Sequence, residues 1–470
     1  MNKTGLRESL DPGAEEMRRN GYAMIDSIVE HFQSLSDQRV AKRSSRQELA
    51  QLVDEGLPSE PCGIEESMQF FFDNVVPLMT RVNHPRFHAF IPCPSSYAGA
   101  LGMMLAAGTN PFVGSWLGGA TLASLELTVL RWIKELLQLD PSSEGLFTSG
   151  GSTANLIGLA CARAKYGKQV LERGRIYVSA EGHASMDKAA IILGFEKEQI
   201  QIVEVDENYQ MDLSALKSMC DRDREQGYLP FFVSGNAGTT NVGAIDDLRG
   251  MAEFCQRSDL WFHIDAAYGG FAAMVPEIRA KMAGLDLADS ITLDPHKWLY
   301  CPMGVGCAFV KEVEYLNAAF SAHGSYLKDL DTDEVNFLDR GPELSRPARV
   351  LPVWMLIRCS GVNKLQHQIR EDIRLAELAA SLLAQDERFE VEPVRLSVVV
   401  FRHRRKEEES VADQTARDDA LMNATLADGE LMLSSTTARH RNCLRLVVMN
   451  HRTTELDIER SVNRIRELAV

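Results

Sequence analysis

His296 and Lys297, in the run SITLDPHKWLY from Ser290 to Tyr300, are the residues of this chain best placed to do covalent chemistry. A short β-prone segment ends at the Asp294-Pro295 turn, and Trp298, Leu299 and Tyr300 return the chain to apolar surroundings. A lysine between apolar neighbours loses solvation, which predicts a lowered ammonium pKa and an amine able to form a Schiff base. A second group lies upstream in GLFTSGGSTANL, where Gly150, Gly151 and Ser152 form a glycine-rich turn running into a helix. Free N–H groups and the positive helix end make an anion site there, most naturally for a phosphate. The spacing is neither GxGxxG nor GxxxxGK[ST], which argues against a dinucleotide or ATP.

The elements that must position these residues alternate. Strands are predicted at Arg175–Ser179, Gln201–Val205, Phe231–Ser234, Leu260–Ile264 and Ser290–Leu293, with helices at Ser185–Leu193, Ser214–Glu225 and Leu248–Arg257. That rhythm predicts a mostly parallel sheet flanked by helices, in which ligands sit beyond the carboxyl ends of the strands. Four of those ends carry chemistry: His183 in GHAS, the hydroxyls of Thr239 and Thr240, Asp265, and the His296–Lys297 pair. Together they suit a cofactor with an aldehyde, a phosphate, a flat ring and a protonatable ring nitrogen. Lys297 takes the aldehyde, the Gly150–Ser152 turn the phosphate, and Asp265 the ring nitrogen. His183 lies on one ring face, and Ala267 is small enough to let the ring approach from the other. These demands predict pyridoxal 5'-phosphate.

Around this centre the chain reads as three parts. Helices fill residues 12–55 and Ile64–Met79, interrupted by Leu57-Pro58-Ser59-Glu60-Pro61. Their apolar stripe predicts either a simple N-terminal cap or an arm packed on another subunit. Loops rich in Gly, Pro and aromatics at His84–Ser96 and Thr109–Gly119 flank a helix near 98–107, and a helix over 121–139 follows. The polar stretch 309–349 predicts a mobile loop able to cover the site. Val353–Leu383 is predicted helical. Strands at Leu396–Phe401 and Cys443–Val448, with helices at Ala412–Ala427 and Glu455–Ala469, predict a smaller α/β unit. The expected division is an arm over 1–82, a large domain over 83–352 and a small domain over 353–470.

Composition sets outer limits. The 470 residues, 45% apolar and 25% charged, suit an ordinary soluble protein with more than one domain. A net charge of −16 disfavours nucleic acid or an anionic membrane as partner. Nine cysteines without a CxxC pair predict reduced thiols in a cytoplasmic protein, and the polar N-terminus lacks the apolar core expected of a signal peptide. The eleven histidines include no HExxH and no His/Cys ligand spacing, so no metal is expected.

The motifs TSGGSTANL, EGHAS, HIDAAYGG and DPHKWL, in that order, resemble those of the group II pyridoxal-phosphate decarboxylases, above all the aromatic-L-amino-acid decarboxylase branch. The resemblance runs from about His84 through the C-terminal domain. It implies an α/β, aspartate-aminotransferase-like fold (PLP fold type I). Its large domain has a mostly parallel seven-stranded sheet, joined to a small C-terminal α/β domain and an N-terminal helical arm. It also implies a homodimer with shared sites, the arm being a dimerisation element. By the same resemblance Lys297 carries the cofactor, Asp265 pairs with the pyridinium, His183 stacks on the ring, and His296 sits near phosphate and substrate. The implied activity is that of a carboxy-lyase acting on an L-amino acid, most naturally an aromatic one, to give the amine and CO2. Substrate amine displaces Lys297, and the protein holds the Cα–carboxylate bond perpendicular to the ring.

Two departures from the family pattern bear on product and substrate. An ungapped alignment through Leu344-Ser345-Arg346 puts Phe337 where the family has its loop tyrosine, and phenylalanine has no proton to give. That implies an alternative activity, oxidative decarboxylation and deamination to an aldehyde with O2, unless His183 or His323 supplies the proton. The substrate pocket falls on Val82, Ile91, Pro92, Gly114, Trp116 and His296, with Gly114 leaving room for a larger side chain. Phe90, Tyr97 and Phe112 are further aromatic walls. Arg86 is the one lysine or arginine in 83–119, which disfavours an acidic substrate and leaves a diamino acid open. Arg445, before a strand, keeps an aminotransferase of the same fold open.

Overall fold

The computed structural model describes residues 10–321 and 334–469. Its centre is a sheet of β1 (Glu144–Thr148), β2 (Gly174–Ser179), β3 (Ile200–Val203), β4 (Leu229–Asn236), β5 (Trp261–Asp265), β6 (Ser290–Leu293) and β7 (Gly306–Val310). The order is β1-β7-β6-β5-β4-β2-β3. Neighbours from β3 through β6 pair in parallel, while β7 is antiparallel to both β6 and β1. Every residue of β2 and all but the first of β4 are buried, as expected for strands covered on both faces. The apolar runs give way to Ser179, Asn236, Asp265 and Asp294 at or just past the strand ends, so one edge of a hydrophobic sheet is polar. β1 and β7 escape periodicity analysis because glycine interrupts them where chains come close. A Cβ at Gly145 would lie 2.8 Å from the Ala308 carbonyl oxygen, and one at Gly306 would lie 2.5 Å from Gly150 Cα.

The polar stretch 309–349 is not one mobile loop. Phe309 and Val310 belong to β7, a helix spans Val313–Phe320, and Phe337–Asp339 form a 3-10 turn. Residues 322–333, and with them His323, lie outside the described residues. Phe337 is fully buried, its ring 4.8 Å from the Arg346 guanidinium, and the Leu338 N–H donates to the Gly114 carbonyl at 2.8 Å. Its expected place on a loop over the site is therefore corrected: the side chain is part of the core.

A second, antiparallel sheet carries β8 (Phe389–Val391), β9 (Val398–His403), β10 (Ser434–Ala438) and β11 (Arg441–Val447) in the order β10-β11-β9-β8. The helical stretch ahead of it breaks at Gly361 (φ 71°) into Val350–Ser360 and Val362–Ala384. Residues 84–90 lie along this smaller unit. Val447 N–H donates to the His88 carbonyl at 3.0 Å, and buried Arg86 meets Asp457 at 3.3 Å. The N-terminal helices, Ala14–Ser34, Arg46–Val53 and Ile64–Phe70, leave Met17, Tyr22, Met24, Val53, Ile64 and Phe70 exposed. Among the described residues no helix is long and apolar enough to cross a membrane.

Candidate active site

At the polar edge of the large sheet lies a cavity of about 300 Å³. All nine positions assigned to the cofactor line it: Gly150, Gly151, Ser152, His183, Thr240, Asp265, Ala267, His296 and Lys297. They arrive from separate elements. The turn after β1 brings the glycines, the ends of β4 and β5 bring Thr240 and Asp265, and the turn after β6 brings His296 and Lys297.

The glycine turn is shaped for a bulky anion. Gly150 has φ 152°, a conformation that side chains disfavour, and the helix Gly151–Tyr166 starts with no side-chain cap. Its first N–H groups are thus left for a ligand. A Cβ at Gly151 would come within 3.0 Å of both Ala267 Cβ and Asp294 Oδ2, filling the space where the turn meets the cavity.

Lys297 behaves differently from the sequence expectation. Burial pulls its pKa down, but the charges of Asp294 and Asp265, with the Cys93 thiol, outweigh burial, and the ammonium pKa is raised. Asp294 Oδ2 lies 3.1 Å from Nζ and 3.6 Å from His296 Nε2. His296 is held by Nδ1 on the Val305 carbonyl at 2.8 Å, and burial lowers its pKa despite Asp294. The carboxylate three residues before Lys297 therefore sets its charge state, an effect that apolar neighbours alone do not reveal.

In the cavity wall a chain of hydrogen bonds fixes Asp265 and His183 together. Asn155 Nδ2 donates to Asp265 Oδ2 and to Ser185 Oγ, each at 2.8 Å. Its Oδ1 then faces His263 Nε2 at 3.0 Å, so that nitrogen carries the proton. His263 Nδ1 accepts from the Ser290 hydroxyl at 2.7 Å, and Ser290 Oγ accepts from Trp261 Nε1 at 2.8 Å. Burial lowers the His263 pKa to about 4, which keeps the ring neutral, as this pattern requires. On the other side, His183 Nδ1 accepts the Ser185 hydroxyl at 2.8 Å and the Ser185 N–H at 3.2 Å. With Nδ1 accepting, Nε2 carries a proton, and His183 lines the cavity.

Asn155, Ser185 and Asp294 were not among the expected site residues. Asn155 sits four residues after Gly151, on the same helix face, and that spacing is the one signal that could have found it. Of the expected substrate residues, His296 lines the cavity and the others do not. Val82 packs with Val40, Phe87 and Ala89, Pro92 is buried, and Ile91 rests on the main core. Trp116 opens the helix Trp116–Leu137, its backbone N–H donating to Asn336 Oδ1 at 2.9 Å. Gly114 offers no room within this chain, since a Cβ there would meet Phe112 Cζ at 2.5 Å and the Leu344 carbonyl at 2.6 Å. The 91–96 segment still reaches the lysine turn, because Ser96 N–H donates to the Tyr300 carbonyl at 2.8 Å and Cys93 influences Lys297. Arg445 donates to Ser434 Oγ at 3.1 Å and to the Thr240 carbonyl, so its guanidinium is already engaged.

An uncapped phosphate cup, a buried carboxylate and an accessible lysine in one cavity fit pyridoxal phosphate. Residues 47–404 match the model of the pyridoxal-dependent decarboxylase conserved domain. The chain belongs to the pyridoxal-dependent decarboxylase family. An aromatic-L-amino-acid decarboxylase of Bacillus atrophaeus is 37% identical over 99% of this chain and 98% of its own length. Among solved structures, an Oryza sativa TDC with PLP and tryptamine superposes with a TM-score of 0.94 at 26% identity, covering 99% of each chain. A 4-hydroxyphenylacetaldehyde synthase of Rhodiola rosea superposes at 0.91 and 26% identity, over 97% of this chain and 98% of that one. As a member of this family the protein is a pyridoxal-phosphate-dependent amino-acid decarboxylase. The bound cofactor supplies an electron sink for the pair released when a Cα–carboxylate bond breaks.

Proposed function

We propose that this protein decarboxylates aromatic L-amino acids to their amines, using Lys297 as the lysine that holds the cofactor. The observation that carries this reading is the convergence of Lys297, Asp265 and the uncapped Gly150–Ser152 turn on one cavity. In this reading the helix N-terminus binds the phosphate, Asp265 favours a protonated ring nitrogen, and His183 and Ala267 take the two ring faces. Orientation of the breaking bond and fixed charge at the ring nitrogen are the protein's leverage on the rate. His183, with a proton on Nε2, is the donor that the described residues offer to Cα, while His323 lies outside them. The aromatic preference rests on the relatives' activities and on Arg86 being engaged with Asp457, which leaves no free cation in 83–119 for an acidic side chain.

Aldehyde formation had its support in Phe337, whose side chain is buried in the core and does not line the cavity, which leaves that reading with less support. An aminotransferase reading had its support in Arg445, which is committed to Thr240 and Ser434. The protein acts as a homodimer in this proposal, with the exposed apolar side chains of the arm over 1–82 packed on the second subunit. The cytoplasm is the compartment that nine free thiols suit.

The test is a panel of L-amino acids assayed together for CO2 release, O2 uptake and keto-acid consumption. Stoichiometric CO2 from aromatic substrates with a flat oxygen trace is expected. Release of CO2 from acidic or diamino substrates alone, or matched uptake of O2, would overturn the proposal.

A further inference from the structure

The Lys297 carbonyl accepts the Tyr300 N–H at 2.9 Å. The lysine's side chain meets Asp294, and its N–H donates to the Asp294 carbonyl at 2.9 Å. What fixes the turn comes immediately after it. Trp298 is fully buried, stacked on Tyr268 with ring centroids 5.0 Å apart and planes 19° apart, and Tyr268 lines the cavity. Tyr300 adopts φ 49°, a left-handed conformation that a bulky side chain holds only when its surroundings enforce it.

One carboxylate does the enforcing. Asp372, fully buried on the helix Val362–Ala384, accepts from Trp298 Nε1 at 2.9 Å and from the Tyr300 hydroxyl at 2.7 Å, both on Oδ2. The residues one and three places after the lysine are thus tied to a single oxygen from the C-terminal part of the chain. The Tyr300 carbonyl holds Ser96 N–H, so the same tie also sets the 91–96 segment.

We propose that Asp372 is a positioning residue for Lys297: through Trp298 and Tyr300 it holds the lysine turn, and with it the Tyr268 wall, in the geometry that captures the cofactor. The proposal rests on Lys297 being the cofactor lysine. Burial pushes the Asp372 pKa up to about 7, against the pull of Tyr300 and Trp298, so this carboxylate is kept in the core at a cost to the fold. A residue kept there for stability alone would be better replaced by an apolar side chain of similar volume.

The experiment uses the full-length chain, stripped of cofactor and reloaded with pyridoxal phosphate. Samples are quenched with borohydride over time, and the label on the Lys297 peptide is measured by mass spectrometry. Asp372→Leu is compared with Leu375→Ala, which removes a buried side chain from the same helix and controls for lost stability. Asp372→Leu is expected to label roughly tenfold more slowly than wild type, the scale of its two lost buried hydrogen bonds at about threefold each, and Leu375→Ala close to the wild-type rate. Should Asp372→Leu fail to fold, Tyr300→Phe deletes a single hydroxyl from the same contact and is expected to slow labelling by about threefold. Labelling of either variant at the wild-type rate, or an Asp372→Leu loss no larger than that of Leu375→Ala, would overturn the proposal. An unlabelled Lys297 in wild type would instead refute the reading of Lys297 itself.

Discussion

Replacing Asn155 by alanine should damage the site through the cavity wall, without touching the residues assigned to the cofactor's phosphate or aldehyde. The side chain supplies one bond to the Asp265 carboxylate, one to Ser185 and one acceptor for His263, all buried. A buried hydrogen bond to a charged group is worth about 1.5–3 kcal/mol, and each partner left unsatisfied costs about 1–3 kcal/mol. Fold stability should therefore drop by about 3 kcal/mol or more. If about 2 kcal/mol of that is felt at Asp265 and His183 in the transition state, kcat/KM falls by roughly thirtyfold. The assay is steady-state decarboxylation alongside urea denaturation, extended to a double-mutant cycle with His263→Phe. Because Asn155 and His263 share a hydrogen bond, their effects should be non-additive by about 1 kcal/mol. An Asn155→Ala enzyme within threefold of wild type, or strictly additive stability losses, would refute the proposed chain of bonds.

Further consequences can be checked separately. Gly151→Ala places a Cβ within 3.0 Å of Ala267 and Asp294, so pyridoxal-phosphate affinity in a fluorescence titration should weaken by roughly tenfold; an unchanged Kd would contradict the phosphate cup. Phe337→Tyr buries a hydroxyl in a packed core and should destabilise by about 1–3 kcal/mol while leaving the ratio of CO2 to O2 unchanged. A shift of that ratio would restore a role for Phe337 in the chemistry. His88, buried between the Val447 carbonyl and Ser461 Oγ, has its pKa lowered by burial from 6.5 to about 4. The unfolded chain then binds the extra proton below pH 6.5, so this contribution to stability is present above that pH and lost as pH falls toward 4. Between pH 7.5 and 5.5 the loss is about 1.3 kcal/mol, and His88→Gln should remove that much of the pH dependence in urea titrations at the two values. An unaltered slope would show that His88 is not held neutral.

Much of the site was legible because its residues close predicted strands. Asp265, His183, Thr240 and Lys297 each follow an apolar run whose end is a local property of the sequence, and the glycine turn announces itself by composition. Asn155 and Ser185 were hidden, because their role comes from separate elements meeting at the cavity wall. The direction of the Lys297 shift was misjudged for a related reason: burial was visible in the neighbours, but the net field of Asp294 and Asp265 was not. Phe337 was expected on a loop over the site, but its burial beside the Arg346 guanidinium depends on tertiary packing that a polar stretch does not announce. Substrate-side residues from 82 to 116 were the least legible, since periodicity does not say which faces of Gly- and Pro-rich loops point inward. The fold class suffered little, because the alternation of buried strands and helices is repeated often enough to survive missing β1 and β7.

The most direct test is to reduce the holoenzyme with borohydride and map the modified peptide. The pyridoxyl mass should sit on Lys297 alone, and Lys297→Ala should abolish both the label and CO2 release. Label on another lysine, or undiminished turnover by Lys297→Ala, would contradict the assignment of this cavity as the decarboxylase site.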